Sequence, residues 1–189
     1  MMEPPTEIVR TPSADWRAAV TDKDRVRLRD WRQYFVSGVE AARKSGHGDE
    51  IAREGALLDP DSALGGPIPD GPYRCRVIKL GAKSEGMLDY VAYPYFQCRI
   101  QQKGNLQTFA KVTGSQRQAG LIFPNDQFHQ VFLGTLMLAD EARAMKYGID
   151  PNRDVAGYVE RIGPSRWRLI MPNPAFESQI DVMELVPQV

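Results

Sequence analysis

Two histidines and two cysteines are all the imidazole and thiol that a chain of 189 residues offers. With only His47 and His129, a metal centre built on several imidazoles is excluded, and a Ser-His-Asp arrangement would have to use one of the two. Cys75 and Cys98 lack the close spacing of a zinc motif, so no metal is expected. An excess of one charge is missing as well, since 24 Lys plus Arg balance 24 Asp plus Glu. Nucleic-acid binders normally carry a clear basic excess, so no nucleic acid is expected as a partner. No apolar run approaches the roughly 20 residues of a membrane-spanning helix, so no transmembrane segment is expected. The opening "MMEPPTEIVRTPS" has neither the basic nor the apolar region of a signal peptide. Repeats and low-complexity tracts are also lacking.

What is present is ordinary globular material, 42% hydrophobic and 25% charged. A chain of this length fits one domain that buries roughly 70% of its unfolded surface. Residues 1–12 read as a disordered tail and 13–64 as a helical segment. Ser13 or Thr11 can cap a short helix containing "ADWRAAV". Thr21 and Asp24 form a capping-box variant that opens the next helix. Leu28, Trp31, Phe35, Val39 and Ala42 then recur at three- and four-residue steps as one apolar stripe, stopped by Gly46. "DEIAREGALL" predicts a third helix closed by Asp59-Pro60.

"GGPIPDGP" (65–72) is a connector, and from 72 to 189 the period changes. Eight short candidate strands follow at spacings of about ten residues, with turn residues between them. "ADEARAMKYG" reads as a helical turn or an irregular strand. The expectation is α+β: N-terminal helices packed on an antiparallel β-barrel or strongly curved sheet of about eight strands, lipocalin-like, the whole forming one domain.

"KVTGSQRQAGLIFP" (111–124) has hydroxyls at Thr113 and Ser115 around Gly114, with Arg117 close by. A nucleophile elbow needs G-x-S-x-G between strand and helix, and a phosphate loop needs its glycines and lysine opening a helix. Neither pattern is met. The stretch reads as a hairpin turn, with anion binding by Ser115 and Arg117 as the rival reading.

Alternation puts Cys75 and Val77 on one strand face, and Phe96, Cys98 and Ile100 on one face of the next. If the two strands pair with the thiols at opposed positions, a disulfide is within reach; the alternative is two reduced, buried cysteines. The opposite face collects Arg74, Arg76 and Arg99, while "SRWRL" adds Arg166 and Arg168. These five and Arg117 are the candidate ligand-binding residues, because guanidinium forks hold carboxylates and phosphates. Against that stands ion pairing with Glu160, Glu177, Asp181 and Glu184 across neighbouring strands on a solvated face.

His47 in "HGDE" precedes a helix start, where Asp49 and Glu50 suit the helix dipole. "GIDPNRD" (148–154) reads as an Asx-type turn, since it lacks the ligand positions of a calcium loop. Glu177 and Asp181 lie four apart, on one strand face, as a carboxylate pair could.

The blocks "GHGDEIAREGALLDPDSAL", "YRCRVIKLGAKS", "LDYVAYPYFQCRI", "TGSQRQAGLIFP", "YGIDPNRDVAGYVERIGPSRWRL" and "ESQIDVMELVP" together resemble an uncharacterised bacterial family, one of the numbered domains of unknown function, seen chiefly in alphaproteobacteria. The resemblance covers about Asp15 to Pro187. Its members usually look like exported proteins, which implies a periplasmic or envelope location if a signal was removed, and a cytoplasmic one otherwise. The resemblance also implies the Cys75–Cys98 bridge. It brings no activity, no catalytic residue and no cofactor. The leading reading is a non-enzymatic envelope protein that binds a small molecule or a protein, with loops 81–93 and 139–153 and nearby arginines lining the site. A hydrolase using a carboxylate pair or His47, and a structural module with no pocket, are the alternatives.

Overall fold

The computed structural model describes residues 14–189, so the expected tail 1–12 and the expected caps Thr11 and Ser13 lie outside the described residues. Within them, Asp15 caps α1 (Trp16–Ala19), its carboxylate accepting from Arg17 N at 3.0 Å. Thr21 caps α2 (Asp22–Arg29) as its spacing predicts, accepting from Asp24 N at 3.2 Å. The apolar stripe does not lie on one helix. The backbone leaves helical geometry at Asp30 (φ −96°, ψ 13°), and α3 (Trp31–Ala42) begins beyond it. Leu28 therefore packs with Val131 and Leu133, whereas Phe35, Val39 and Ala42 pack with Ile78, Ile170 and Ile180. After a wide turn containing Gly46 comes α4 (Gly48–Glu54), with Asp49 and Glu50 in its first turn, followed by a 3-10 turn over Gly55–Leu58.

Nine strands follow: β1 (Gly71–Ala82), β2 (Tyr90–Ala92), β3 (Phe96–Lys103), β4 (Leu106–Lys111), β5 (Gln116–Phe123), β6 (Gln130–Leu138), β7 (Asp154–Gly163), β8 (Arg166–Pro172) and β9 (Ser178–Pro187). Eight of them form a closed antiparallel barrel, the first of the two forms expected, sealed where β1 pairs with β9 from Tyr73↔Pro187 to Ala82↔Ser178. The extra strand is β2. The first half of β1 pairs with β3 and the second half, Ile78–Leu80, with β2. Three residues carry too little alternation to be read as a strand. Residues 139–148, expected as a helical turn or irregular strand, are neither; they belong to a loop of turns that runs to 153.

Side chains of alternate parity fill one core inside the barrel and two on its outer wall, the one under α2 already described. Tyr73, Val77, Ile100, Phe109, Phe132, Trp167, Leu169 and Met183 pack inside the barrel. Ile78, Leu80, Ile170, Ile180 and Val182 point outward and are buried by α3 and α4. Their strands are apolar on both faces because both faces are covered. At Gly38 of α3 the helix comes so close that a Cβ would stand 2.7 Å from Ile180 Cγ2 and 3.1 Å from Leu80 O.

Cys75 and Cys98 form a disulfide inside the barrel, with Cα atoms 5.9 Å apart. The expected opposed placement is corrected by the register. Cys75 faces Phe96 and Cys98 faces Tyr73, so the bridge runs diagonally between β1 and β3. Closing a loop of about 22 residues contributes roughly 3 kcal/mol.

Candidate functional site

The six candidate arginines do not form one site. Arg76 and Arg166 converge on Glu184, with Nε atoms 2.9 Å from Oε1 and 2.6 Å from Oε2 respectively. Arg76 also forks onto Glu54 of α4, and the Tyr95 hydroxyl donates to Glu184. Burial pushes the Glu184 carboxyl up, but bonds from Arg76, Tyr95 and Arg166 outweigh it and hold it below its ordinary value. Arg168 pairs with Glu160. The partners Glu160 and Glu184 are those the alternation predicts, but the expected solvated face is not there. Glu184, Glu160 and Arg168 are buried because α4 and the turn after it cover that wall. Arg74 lies exposed over the Tyr95 ring at 4.8 Å, and Arg99 stands exposed on β3.

Glu177 and Asp181 do converge, on the Nζ of Lys79 at 3.6 and 3.0 Å. Lys79 thus replaces arginine as their partner. His47 Nδ1 lies 2.9 Å from Glu50 Oε1 and its ring stacks on Tyr90. Asp150 Oδ1 accepts from Asn152 N at 2.9 Å, the expected Asx-type turn. Thr113–Ser115 is the predicted hairpin turn, with Gly114 at φ 97° between β4 and β5. Arg117 turns away from Ser115 and donates to the carbonyls of Ala139 and Glu141 at 2.7 and 3.0 Å.

Close by lies a cavity of about 560 Å³ on the outer wall of the barrel. Its floor is the outward face of β5 and β6, with Ala119, Leu121, Phe123 and Leu133. One side is α1, through Ala18 and Ala19, and the other is the loop segment Ala144–Tyr147. Beneath this floor Gly120 and Gly134 face each other across the two strands, at close quarters where a Cβ on either would collide with backbone at 2.3–2.4 Å.

The loop lacks periodic structure but is pinned along its length. Arg153 Nη1 donates to Glu141 Oε1 at 2.6 Å and to Leu136 O at 2.9 Å. Thr135 Oγ1 donates to Met145 O at 3.0 Å. The Tyr147 hydroxyl donates to Asp24 Oδ2 at 2.5 Å and accepts from Thr21 N at 3.2 Å. Burial, with Asp24 alongside, drives the Tyr147 phenol well above its ordinary value, so it stays protonated and donating. Asp24 is held by Arg27 Nη1 at 2.8 Å, which also reaches Asp154 O at 3.2 Å. Asp154 Oδ1 in turn accepts from Gly148 N at 2.9 Å. Helix, loop and strand are therefore fixed to one another around an apolar space.

Of the six candidate arginines only Arg117 serves this cavity, and it does so by holding the loop; of the two loops expected at a site, 139–153 lines this cavity and 81–93 does not. The floor residues read as an ordinary strand face. One available signal was Leu121 and Leu133 on outward positions with no helix stripe assigned to cover them.

These features define a disulfide-bonded, helix-covered antiparallel β-barrel domain with an apolar groove on its wall. Residues 16–185 match the family described as Domain of unknown function (DUF4893), and the chain belongs to it. No curated protein and no solved structure matches the chain.

Proposed function

We propose that the chain is a non-enzymatic binding module that takes a small, largely apolar molecule in the groove between α1, β5–β6 and loop 139–153. The observation that carries this is the cavity itself: about 560 Å³, walled by Ala18, Ala19, Leu121, Phe123, Leu133 and Tyr147. That volume falls in the range of about 300–1,000 Å³ usual for small-molecule sites. Burying the apolar surface of a ligand there supplies the driving force, at roughly 25 cal/mol per Å². A loop already fixed by Arg117, Arg153 and Tyr147 lowers the ordering cost of binding. The Cys75–Cys98 disulfide supports work in an oxidising compartment outside the cytoplasm, and no helix of the described residues is long and apolar enough to cross a membrane.

The test uses N-phenyl-1-naphthylamine, whose fluorescence rises in apolar surroundings. The wild-type chain should bind it at micromolar concentration with one site. Ala19→Trp, which fills the groove, and Leu121→Glu, which makes its floor polar, should each lose at least tenfold in affinity with an unchanged melting temperature. Absence of binding to the wild type, or equal binding to both variants, would sink the proposal.

A further inference from the structure

The inside of the barrel is not apolar throughout. At the end where β1 meets the start of β9, the inward positions are Lys79, Lys111, Gln118 and Asp181, all buried. Between them lies a second and smaller cavity of about 130 Å³, lined by Lys79, Lys111, Tyr93, Ser115 and Gln118 among others. It is separate from the outer groove, sharing no lining residue with it.

The charges here do not cancel locally. Lys79 is neutralised by Asp181 at 3.0 Å and Glu177 at 3.6 Å. Asp181 also accepts from the Ser178 hydroxyl. Lys111 has no such partner: among the described residues no carboxylate lies within ion-pair distance of it. Its ammonium has three donors, and one goes to Gln116 O at 2.9 Å. The Phe96 ring lies 4.3 Å from the nitrogen. A lysine that is about nine-tenths buried with one protein acceptor and no carboxylate partner is costly to keep charged. Beside it, Gln118 Oε1 is buried and accepts from nothing.

We infer that this end of the barrel binds a small hydroxylated oxyanion, a 2-hydroxycarboxylate or a monoprotonated phosphate. Its negative oxygens would accept from Lys111 Nζ, and its hydroxyl would donate to Gln118 Oε1. A cation with one acceptor and no counter-charge, Lys111, beside an acceptor with no donor, Gln118 Oε1, calls for a ligand that carries both functions. Size agrees, because 130 Å³ is about four times the roughly 30 Å³ that one water takes in the liquid. That admits lactate or phosphate and excludes anything as large as a nucleotide. Lys79 and the Ser115 hydroxyl complete the lining.

The titration of Lys111 fits the geometry. Burial, with Lys79 and Arg117 nearby, pulls its ammonium down to about 8, although Asp181 opposes this. Tyr93, Glu177 and Asp181 act on Lys79, the other cation at this end. An anion beside Lys111 favours the charged amine, so binding takes up a proton near pH 8 and weakens as the pH rises above it.

Calorimetric titration of the full, oxidised chain with L-lactate, inorganic phosphate and acetate tests this. Lactate and phosphate should bind one to one at pH 7, acetate at least tenfold more weakly for want of the hydroxyl. Lactate affinity should fall at least tenfold at pH 9.5. Heats measured at pH 8 in two buffers of different ionisation enthalpy should show proton uptake. Lys111→Met should abolish binding while the melting temperature holds or rises, because a buried charge is removed. Should that variant fail to fold, protection of Lys111 from acetic anhydride by lactate in the wild type replaces it. No binding of lactate or phosphate at 10 mM, unchanged binding by Lys111→Met, or no protection would each overturn the inference.

Discussion

Arg168 donates through Nε to Glu160 Oε1 at 2.9 Å, and neither side chain is exposed to solvent. From the same guanidinium, Nη1 reaches the carbonyls of Ala56, Leu57 and Asp59 at 2.9, 3.0 and 2.7 Å. Burial pulls this guanidinium below its ordinary value, and Glu160 opposes that. One arginine thus fastens the turn after α4 to the barrel wall.

Glu160→Gln leaves that cation without its counter-charge and should cost about 3 kcal/mol in unfolding free energy, within the range for breaking a buried pair. The double variant Glu160→Leu/Arg168→Met should not recover wild-type stability, because three carbonyls then lose their donor. Urea unfolding of the three proteins reads both effects. A fully stable double variant would mean the carbonyl contacts contribute nothing.

His129 Nδ1 lies 2.7 Å from Glu160 Oε2, and that contact raises the imidazole above its ordinary value despite burial. Asp126 and Arg168 also act on the ring. A folded value above the unfolded one, about 6.5, stabilises the fold fully below pH 6.5 and loses that contribution as the pH climbs through the folded value. The gap in stability between wild type and His129→Gln should accordingly be largest at pH 5.5 and shrink by pH 9. A gap independent of pH would show that the pair is not ionised.

Reduction of the disulfide, or Cys75→Ser/Cys98→Ser, should lower stability by roughly 3 kcal/mol and leave the native circular dichroism unchanged. Thermal melts with and without reductant measure it. Thiol labelling after unfolding without reductant should find neither sulfur free.

Gly38→Ala places a methyl against Ile180 and Leu80, so α3 must lift off β1 and β9. Overpacking of this kind costs about 1–3 kcal/mol, against the gain in helix propensity that the same change brings on an open face. Chemical denaturation decides between the signs.

Tyr147→Phe removes the hydroxyl between Asp24 and Thr21 and should cost about 1–3 kcal/mol. It should also weaken naphthylamine binding severalfold, because loop 139–153 loses its anchor to α2. Unaltered binding would show that this anchor does not shape the groove.

Much of this fold is legible from alternation. Cys75 and Val77, Phe96 and Ile100, and the runs around Leu169 and Met183 lie on the faces their period assigns. Less legible is what covers a face. Arg76, Arg166 and Arg168 carry the pattern of a solvated strand side, and only the return of residues 48–58 over that wall turns their ion pairs into buried ones. The groove is only half legible for a related reason: loop 139–153 is expected at a site, but the strand face it covers is not. Its floor is regular, but its rim is the aperiodic loop 139–153, held by Arg117, Arg153 and Tyr147 through contacts far apart in the chain. Lys79 and Lys111 sit on inward positions amid apolar neighbours, and polarity at an inward position was the available signal.

Closure of the barrel by β1 and β9 has a consequence for the order of biosynthesis. β1 emerges from the ribosome before every other strand, and β9 after all of them. During translation β1 can zip to β3, and the thiols of Cys75 and Cys98 can meet, while the far edge of β1 still lacks a partner. That edge carries Val77, Ile78 and Leu80 and stays open until Ser178–Pro187 arrives. A nascent chain stalled ahead of β9 would therefore expose a long adhesive strand edge.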